Sequence, residues 1–447
     1  MAVIASDGLV LGDETGKIAA PLKINLEIFR WMPDSKHALV VERDLVTSWK
    51  DACSLLTLSR QREVSRYAER SWRLGRMAET FDEQLPGQAC LYLIQTYGKT
   101  AARAKFKDKY TDFVVASCVR TLDLSETGKL STGRPLWRAF RTVEDLRVSP
   151  TGKLAAISMD THPGNQICVL ALKGGTPRQI VKSHAGLPDW SPNGTSLLFF
   201  ALPHEYKNTS KEKEASSPLW VGTLDCVKIA DTDGNLLPKL PKPSHLVDTL
   251  YANDSCVRCL PDGTVLFNST LRTFPSTTED NYKNCLFRLS PDYKHVETVA
   301  GSDQITPGYQ SSFEPNSDGS LIAFSGDQGG ILVLETSSGK KTELEKEGKE
   351  DLKFLPQWRI KDEICYPARN SIKSPGGHDV DVALQSLEDP SHHLVLSKEW
   401  SPVSFEFLND PKKEKQKSEV RAPIGKHVHH VSRVHGQHSF QQRKLNR

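Results

Sequence analysis

Four groups of residues in this 447-residue chain could do chemistry. Cys256 and Cys259 form a Cys-x-x-Cys in "DSCVRCLPDGT", a spacing used by redox pairs and by half of a zinc site. Arg62, Arg66, Arg70 and Arg73 recur at helical spacing and suit an anionic partner: a nucleic acid, a lipid surface or an acidic protein. His427, His429, His430, His435 and His438 crowd the C-terminal end, and flexible imidazole tracts take up metal ions promiscuously. Three short loops, "DTDGN" at 231–235, "YGKT" at 97–100 and "GDETGK" at 12–17, look like fragments of calcium or phosphate loops.

The loops fail on spacing. "DTDGN" lacks the third acidic position and the distant Glu of a calcium loop, and it lies between "VKIA" and "LL", so a β-turn is expected. "YGKT" needs a Gly where residue 93 is Leu, and "GDETGK" is followed by Ile18 where a hydroxyl is required; both read as hairpin turns. No G-x-S-x-G nucleophile elbow and no H-E-x-x-H occurs. No residue is assigned to catalysis, to a metal or to a cofactor.

Composition narrows the class. Charged residues make up 25% and hydrophobic residues 38%, as in an ordinary globular protein. There is no apolar run long enough for a transmembrane helix, and "MAVIASDGLVLGDETGK" lacks the basic start and apolar stretch of a secretory signal. The compartment stays open. The net charge of +3 hides a division: residues 410–447 carry ten Lys/Arg against three Asp/Glu, and the remainder carries 48 against 52. A mildly acidic body makes nucleic acid an unlikely partner. Most of the nine cysteines sit inside apolar runs such as "QICVLAL", so buried free thiols are expected.

The elements around these residues repeat. "FRWMPDSKHALVV", "LRVSPTGKLAAIS", "PDWSPNGTSLLFF", "VRCLPDGTVLFNS" and "SSFEPNSDGSLIAFS" align on Pro33, Pro150, Pro192, Pro261 and Pro315, with a weaker copy at Pro356. Each is an apolar position, a Pro/Gly turn and a strand-like apolar run, that is, a hairpin. Second halves such as "QICVLALKGGTPRQIV" and "GILVLETSSGKKTEL" follow, giving about four short strands per unit. Successive prolines from Pro150 to Pro356 are 42, 69, 54 and 41 residues apart, the period of a propeller blade with loops inserted.

The turn-then-strand pattern, as in "SPTGKLAAIS" and "LPDGTVLFNS" followed by an aliphatic strand and "SSGK", resembles the WD40-like (PD40) repeats of TolB-type β-propellers over residues 24–397. The chain as a whole resembles bacterial TolB-like propeller proteins such as those of planctomycetes. The Gly-His and Trp-Asp dipeptides of true WD40 blades are missing. The resemblance implies an all-β, six-bladed propeller over residues 1–409. Residues 1–22, a half-blade by pattern, are expected to pair with the last blade and close the ring, because an open sheet leaves unpaired edges.

Superposition settles the Cys-x-x-Cys. Cys259 takes the place of Trp31, Val148, Trp190 and Phe313, an apolar core position. Cys256 lies an odd offset away on the opposite strand face, so a disulfide and a redox pair are both excluded.

Two segments depart from the repeat. Residues 43–84 are rich in helix formers; Leu45, Trp49, Ala52 and Leu56, then Val64, Tyr67, Ala68 and Trp72, fall at helical spacing. They read as two helices inserted into the first blade, with the arginine stripe on the opposite face. A stripe with Glu63 and Glu69 nearby is also what a merely solvated face looks like. Residues 410–447 are basic, His-rich and poor in aliphatics, and are expected to be disordered.

Three functions fit. The first is a non-enzymatic scaffold for a protein or peptide partner, with loops 202–218 and 270–284 shaping the propeller face. The second is an enzyme with His, Asp, Glu or Arg gathered in the central channel. The third is binding of an anionic surface through the arginine stripe and basic tail.

Overall fold

The computed structural model describes residues 2–406 except 6–7, 12–21, 23–25, 126–128, 160–164, 202–219, 252–255, 272–281, 303–312, 326–330, 346–355, 370–379, 388–392 and 398–401. The histidine tract and the rest of 410–447, the "GDETGK" loop, loop 202–218 and most of loop 270–284 lie outside the described residues.

Six four-stranded antiparallel sheets follow one another along the chain. Blade 1 is Leu26–Trp31, His37–Val46, Val114–Leu124 and Leu130–Ala139. Blade 2 opens with Val143–Val148, Leu154–Met159 and Asn165–Ala171. The long strand Arg178–Trp190 completes blade 2 with its first half and begins blade 3 with its second, followed by Ser196–Ala201, Trp220–Lys228 and Ser244–Tyr251. Blade 4 is Val257–Cys259, Val265–Leu271, Tyr282–Leu289 and Val296–Thr298. Blade 5 is Phe313–Pro315, Leu321–Ser325, Ile331–Glu335 and Lys341–Glu345, and blade 6 is Gln357–Ile360, Glu363–Arg369, Val380–Ser386 and His393–Ser397. The opening strands of blades 1 and 2, 2 and 3, 3 and 4, and 5 and 6 touch, and an ion pair joins those of blades 4 and 5. First strands that meet in sequence surround a common axis, which is the architecture of a β-propeller.

The N-terminal strands do meet the C-terminal end. They form a sheet of their own there rather than extending blade 6: Gly8–Leu11 pairs with Ala2–Ala5, which pairs with Pro402–Glu406. A bridge from Leu9 to Leu22 extends it outward.

Blades 1 to 5 open with one kind of turn. In blade 2 the Ser149 N–H bonds Leu154 O at 2.8 Å, the Ser149 hydroxyl accepts from Leu154 N–H at 3.2 Å, and Gly152 N–H closes onto Ser149 O at 2.8 Å. Gly152 takes φ +68°, a left-handed conformation that favours glycine. Ser191 with Gly194, and Asn316 with Gly319, repeat this; Leu260 with Gly263 does so one residue tighter. In blade 1 Met32 begins the turn and Ser35 takes the positive φ.

This register corrects the alignment on proline in the last two copies. Asn316 opens the blade 5 turn, so Pro315 occupies the slot of Trp31, Val148, Trp190 and Cys259, and Phe313 stands two positions earlier, with Phe29 and Leu146. Pro315 is tolerated because its strand lies at a sheet edge. Pro356 precedes its strand altogether, and the turn falls between Ile360 and Glu363.

The cysteines behave as core residues. All nine are free. Cys256 packs with Leu260, Leu266 and Phe313, whereas Cys259 joins the cluster of Val257, Phe267 and Phe287 on the other strand face. "DTDGN" is a turn: Gly234 N–H bonds Asp231 O at 3.0 Å, and the Asp231 carboxylate accepts from Asp233 and Asn235 N–H.

Helices interrupt blade 1 between its second and third strands, with boundaries different from 43–84. Arg43–Val46 continue the second strand, paired with Val114–Ser117, and Leu45 is exposed there rather than helical. Four helices follow: α1 (Trp49–Leu55), α2 (Leu58–Leu74), α3 (Gln84–Tyr97) and α4 (Lys99–Phe106). "YGKT" is therefore not a hairpin turn; Gly98 is the hinge between α3 and α4.

Close approach between blades sets a strict requirement at Gly301. Its φ is +73°, and a Cβ there would sit 2.6 Å from the Gly339 carbonyl oxygen of blade 5. Gly301→Ala is expected to cost about 1–3 kcal/mol. A lowered urea midpoint at unchanged slope would register it.

Candidate functional site

The helical element is built to present one long face. Ser48 caps α1 by accepting from Asp51 N–H at 3.2 Å, and Thr57 caps α2 by accepting from Arg60 N–H at 3.2 Å. Gly75, at φ +69°, ends α2. Val64, Ala68 and Ser71 of α2 are fully buried against α3, whose Leu85, Ala89, Leu91 and Leu93 complete the core. Arg138 of blade 1 anchors the element, donating to both Asp51 carboxylate oxygens at 3.1 Å and pairing with Asp44 at 2.5 Å. Its guanidinium holds the Asp51 carboxyl below the usual range.

Arg62, Arg66, Arg70 and Arg73 are all exposed, on the face opposite this core. Their spacing keeps them within roughly 80° around the helix and spreads them over about 16 Å along it. Among the described residues none of the four meets a carboxylate. Arg60, on the flank, is by contrast tied to Glu63 at 3.0 Å, Asp82 at 2.7 Å and Gln88 at 3.2 Å. Arg62 and Arg66 converge on an open pocket of about 390 Å³, lined also by Trp49, Leu58, Gln61 and Ser65. Gln61 is already satisfied by the Cys53 and Leu56 carbonyls, each at 3.0 Å, and Ser65 by the Gln61 carbonyl at 2.9 Å. What the pocket offers a partner is the exposed Leu58 side chain, the small part of Trp49 that burial leaves accessible, and two guanidiniums. Arg70 and Arg73 continue the stripe without lining it.

Apolar exposure points to the same region. Among the described residues, the large hydrophobic side chains left in water are Leu45, Leu58, Leu74, Phe81, Tyr97, Phe113 and Val115. All belong to the helical element or to the strand ends that carry it. Leu58 is 71% exposed and Phe81 is fully exposed. At the far end of α2, Trp72 stacks on Tyr97 with ring centroids 4.0 Å apart, and the Lys105 ammonium lies 4.1 Å from the Trp72 centroid.

A second polar constellation lies on the opening strands of the blades. Asp145 accepts from Arg30 Nη2 at 3.2 Å and from Arg147 Nε at 3.1 Å. Arg258 Nε donates to Glu314 at 3.0 Å. Asp189 accepts from Trp190 N–H and, across the blade boundary, from Cys259 N–H, each at 2.9 Å. Arg30, Arg147, Asp189, Arg258 and Glu314 occupy one repeated slot, and Asp145 lies two residues before Arg147 on the same strand face. Two indoles brace the same strands: Trp190 Nε1 donates to Arg147 O at 2.9 Å, and Trp358 Nε1 to Glu314 O at 2.8 Å. Burial alone would raise the Asp145 carboxyl, but Arg147 and Arg30 outweigh it and hold it below the usual range. Burial wins at Asp189 and pushes its carboxyl up despite Arg258 and Arg147. The signal for this ring was present in sequence: Arg30, Arg147, Asp189 and Arg258 each stand three residues before the aligned proline. Glu314 was hidden by the misplaced Pro315.

No family model matches the chain, and no curated protein matches it in sequence. Among solved structures it is similar to TolB from Acinetobacter baumannii, with 15% identity over 60% of this chain and 57% of that one, at a TM-score of 0.39. It is also similar to an acylaminoacyl peptidase from Pyrococcus horikoshii, with 11% identity over 84% of this chain and 46% of that one, at 0.42. A chain of a nidogen/laminin complex is 12% identical over 63% of this chain and 92% of that one, at 0.37. The chain thus spans little more than half of TolB and less than half of the peptidase. At such scores the propeller is defined by the chain's own sheets. No helix among the described residues is long and apolar enough to cross a membrane.

Proposed function

We propose that this chain is a TolB-type, WD40-like propeller acting as a non-enzymatic scaffold that holds a protein or peptide partner on its helical element. The observation that carries this reading is the confinement of exposed large hydrophobic residues, among those described, to residues 45–115. Exposed apolar side chains concentrated in one element, rather than scattered singly over the surface, mark a protein contact. A propeller does not need an inserted helical element to close its sheets, so the element is free to serve another purpose.

The competing reading places an enzyme site in the central channel, and the ring of Arg30, Asp145, Arg147, Asp189, Arg258 and Glu314 is where such a site would lie. Its carboxylates are committed: Asp145 to two arginines, Glu314 to Arg258 and Asp189 to two backbone N–H groups. Most of these contacts join opening strands of neighbouring blades, and that role accounts for the ring without a substrate.

The double variant Leu58→Ser/Phe81→Ser tests the scaffold reading, because both side chains are exposed and their loss should leave folding intact. Affinity purification of the tagged chain from its own host is expected to recover a partner with the parent and to lose it with the variant. Undiminished recovery with the variant would move the contact to the blades and overturn the reading.

A further inference from the structure

We infer that the α1–α2 face binds an acidic amphipathic segment of a partner protein. An apolar side chain enters the pocket between Trp49 and Leu58, and carboxylates pair with Arg62 and Arg66. This rests on the scaffold reading above and names the chemistry of the partner.

Charge complementarity is the first argument. Arg62 and Arg66 line the pocket, are exposed, and meet no carboxylate among the described residues. The acidic side chains nearest in sequence are already engaged, Glu63 with Arg60 at 3.0 Å and Glu69 with the Tyr92 hydroxyl at 3.1 Å. Guanidiniums bind carboxylates through paired, parallel hydrogen bonds, and these two stand one helical turn apart, about 6 Å. A ligand helix with Glu residues four apart matches that interval. Arg70 and Arg73 extend the same track for a longer acidic segment.

The pocket supplies the second argument. A phosphate backbone or lipid headgroup surface would be served by guanidiniums alone. Here the same two arginines frame Trp49 and Leu58, and the side chains between them donate to backbone carbonyls, Gln61 to Cys53 and Leu56 and Ser65 to Gln61. An apolar anchor ringed by charge is the pattern of helix-in-groove recognition.

The test uses the full chain and a fluorescent 16-residue helical peptide carrying Glu at four-residue intervals and one central Phe. Comparators are the same peptide with Gln or Lys for Glu, a thymidine oligonucleotide, and phosphatidylglycerol vesicles. Saturable binding of the Glu/Phe peptide is expected. It should weaken by roughly tenfold or more with the Gln peptide and with Arg62→Glu/Arg66→Glu, by the usual effect of close charge pairs. The Lys peptide should recover binding to the reversed variant, and Leu58→Asp should weaken the Glu/Phe peptide. Lys242→Glu, an exposed reversal on blade 3, should change nothing. If the reversal perturbs the melting curve, Arg62→Gln/Arg66→Gln replaces it. Equal binding by the reversed variant overturns the inference, and so does tighter binding of the oligonucleotide or the vesicles. A host partner lost with Leu58→Ser/Phe81→Ser but indifferent to Arg62→Glu/Arg66→Glu overturns the acidic assignment and leaves the scaffold reading standing.

Discussion

Asp145→Ala is expected to destabilise the fold by about 3–5 kcal/mol, enough to unfold a marginal domain. The carboxylate is 3% exposed and accepts from Arg30 of blade 1 and Arg147 of its own strand. Removing it takes away the carboxylate that these two guanidiniums share. Asp145→Asn tests the electrostatic part separately, since it keeps the volume. The sign of the pH dependence follows from the depressed carboxyl. A folded pKa below the unfolded one gives stability that is fully present above about pH 4 and is lost as pH falls through the folded value. The parent should therefore show an acid limb below about pH 4, and Asp145→Asn should flatten it while lowering stability at neutral pH. Urea titrations at several pH values measure both. Equal slopes of stability against pH in parent and variant would contradict the assigned pairing.

Phe267→Ala is expected to cost about 3–5 kcal/mol. Phe267 is fully buried on the second strand of blade 4. Its ring centroid lies 5.5 Å from that of Phe287 in the same blade and 6.4 Å from that of Phe200 in blade 3. Truncation removes contacts inside one sheet and between two, and neighbouring blades cannot slide inward to fill the space while their opening strands are locked by Arg258 and Asp189. Phe267→Leu keeps most of the contact and should lose clearly less. The comparison of urea midpoints separates a cavity from a general intolerance of change at this position.

How much of this was legible in the sequence depended on whether the signal was local. The hairpin repeat was, because each turn carries its own chemistry: Ser149 and Ser191 begin it and Gly152 and Gly194 supply the left-handed residue. The same local logic misled at Pro315, where proline stands one step before the turn that Asn316 makes. α1 and α2 were visible as amphipathic spacing. α3 was not, since "QLPGQACLYLIQTY" is buried nearly all round, with Leu85, Gln88, Ala89, Cys90, Leu91 and Leu93 inside; an apolar run with Pro86 and Gly87 shows no single helical face. The arginine stripe was legible as spacing, but its lack of carboxylate partners among the described residues and the pocket beside Trp49 depend on how α1 meets α2. The ring around Asp145 joins residues more than a hundred positions apart, and only closure of the blades brings them together.

The most direct measurement is site-specific photo-crosslinking of the full chain in its own host. A benzophenone side chain would replace Leu58, Arg66 or Phe81 on the helical element, or Lys129, Lys242 or Ser338 on exposed turns of the blades. A discrete crosslinked protein is expected from the first three positions and none from the last three. Crosslinks from the blade positions alone would contradict it and return the contact to the propeller itself.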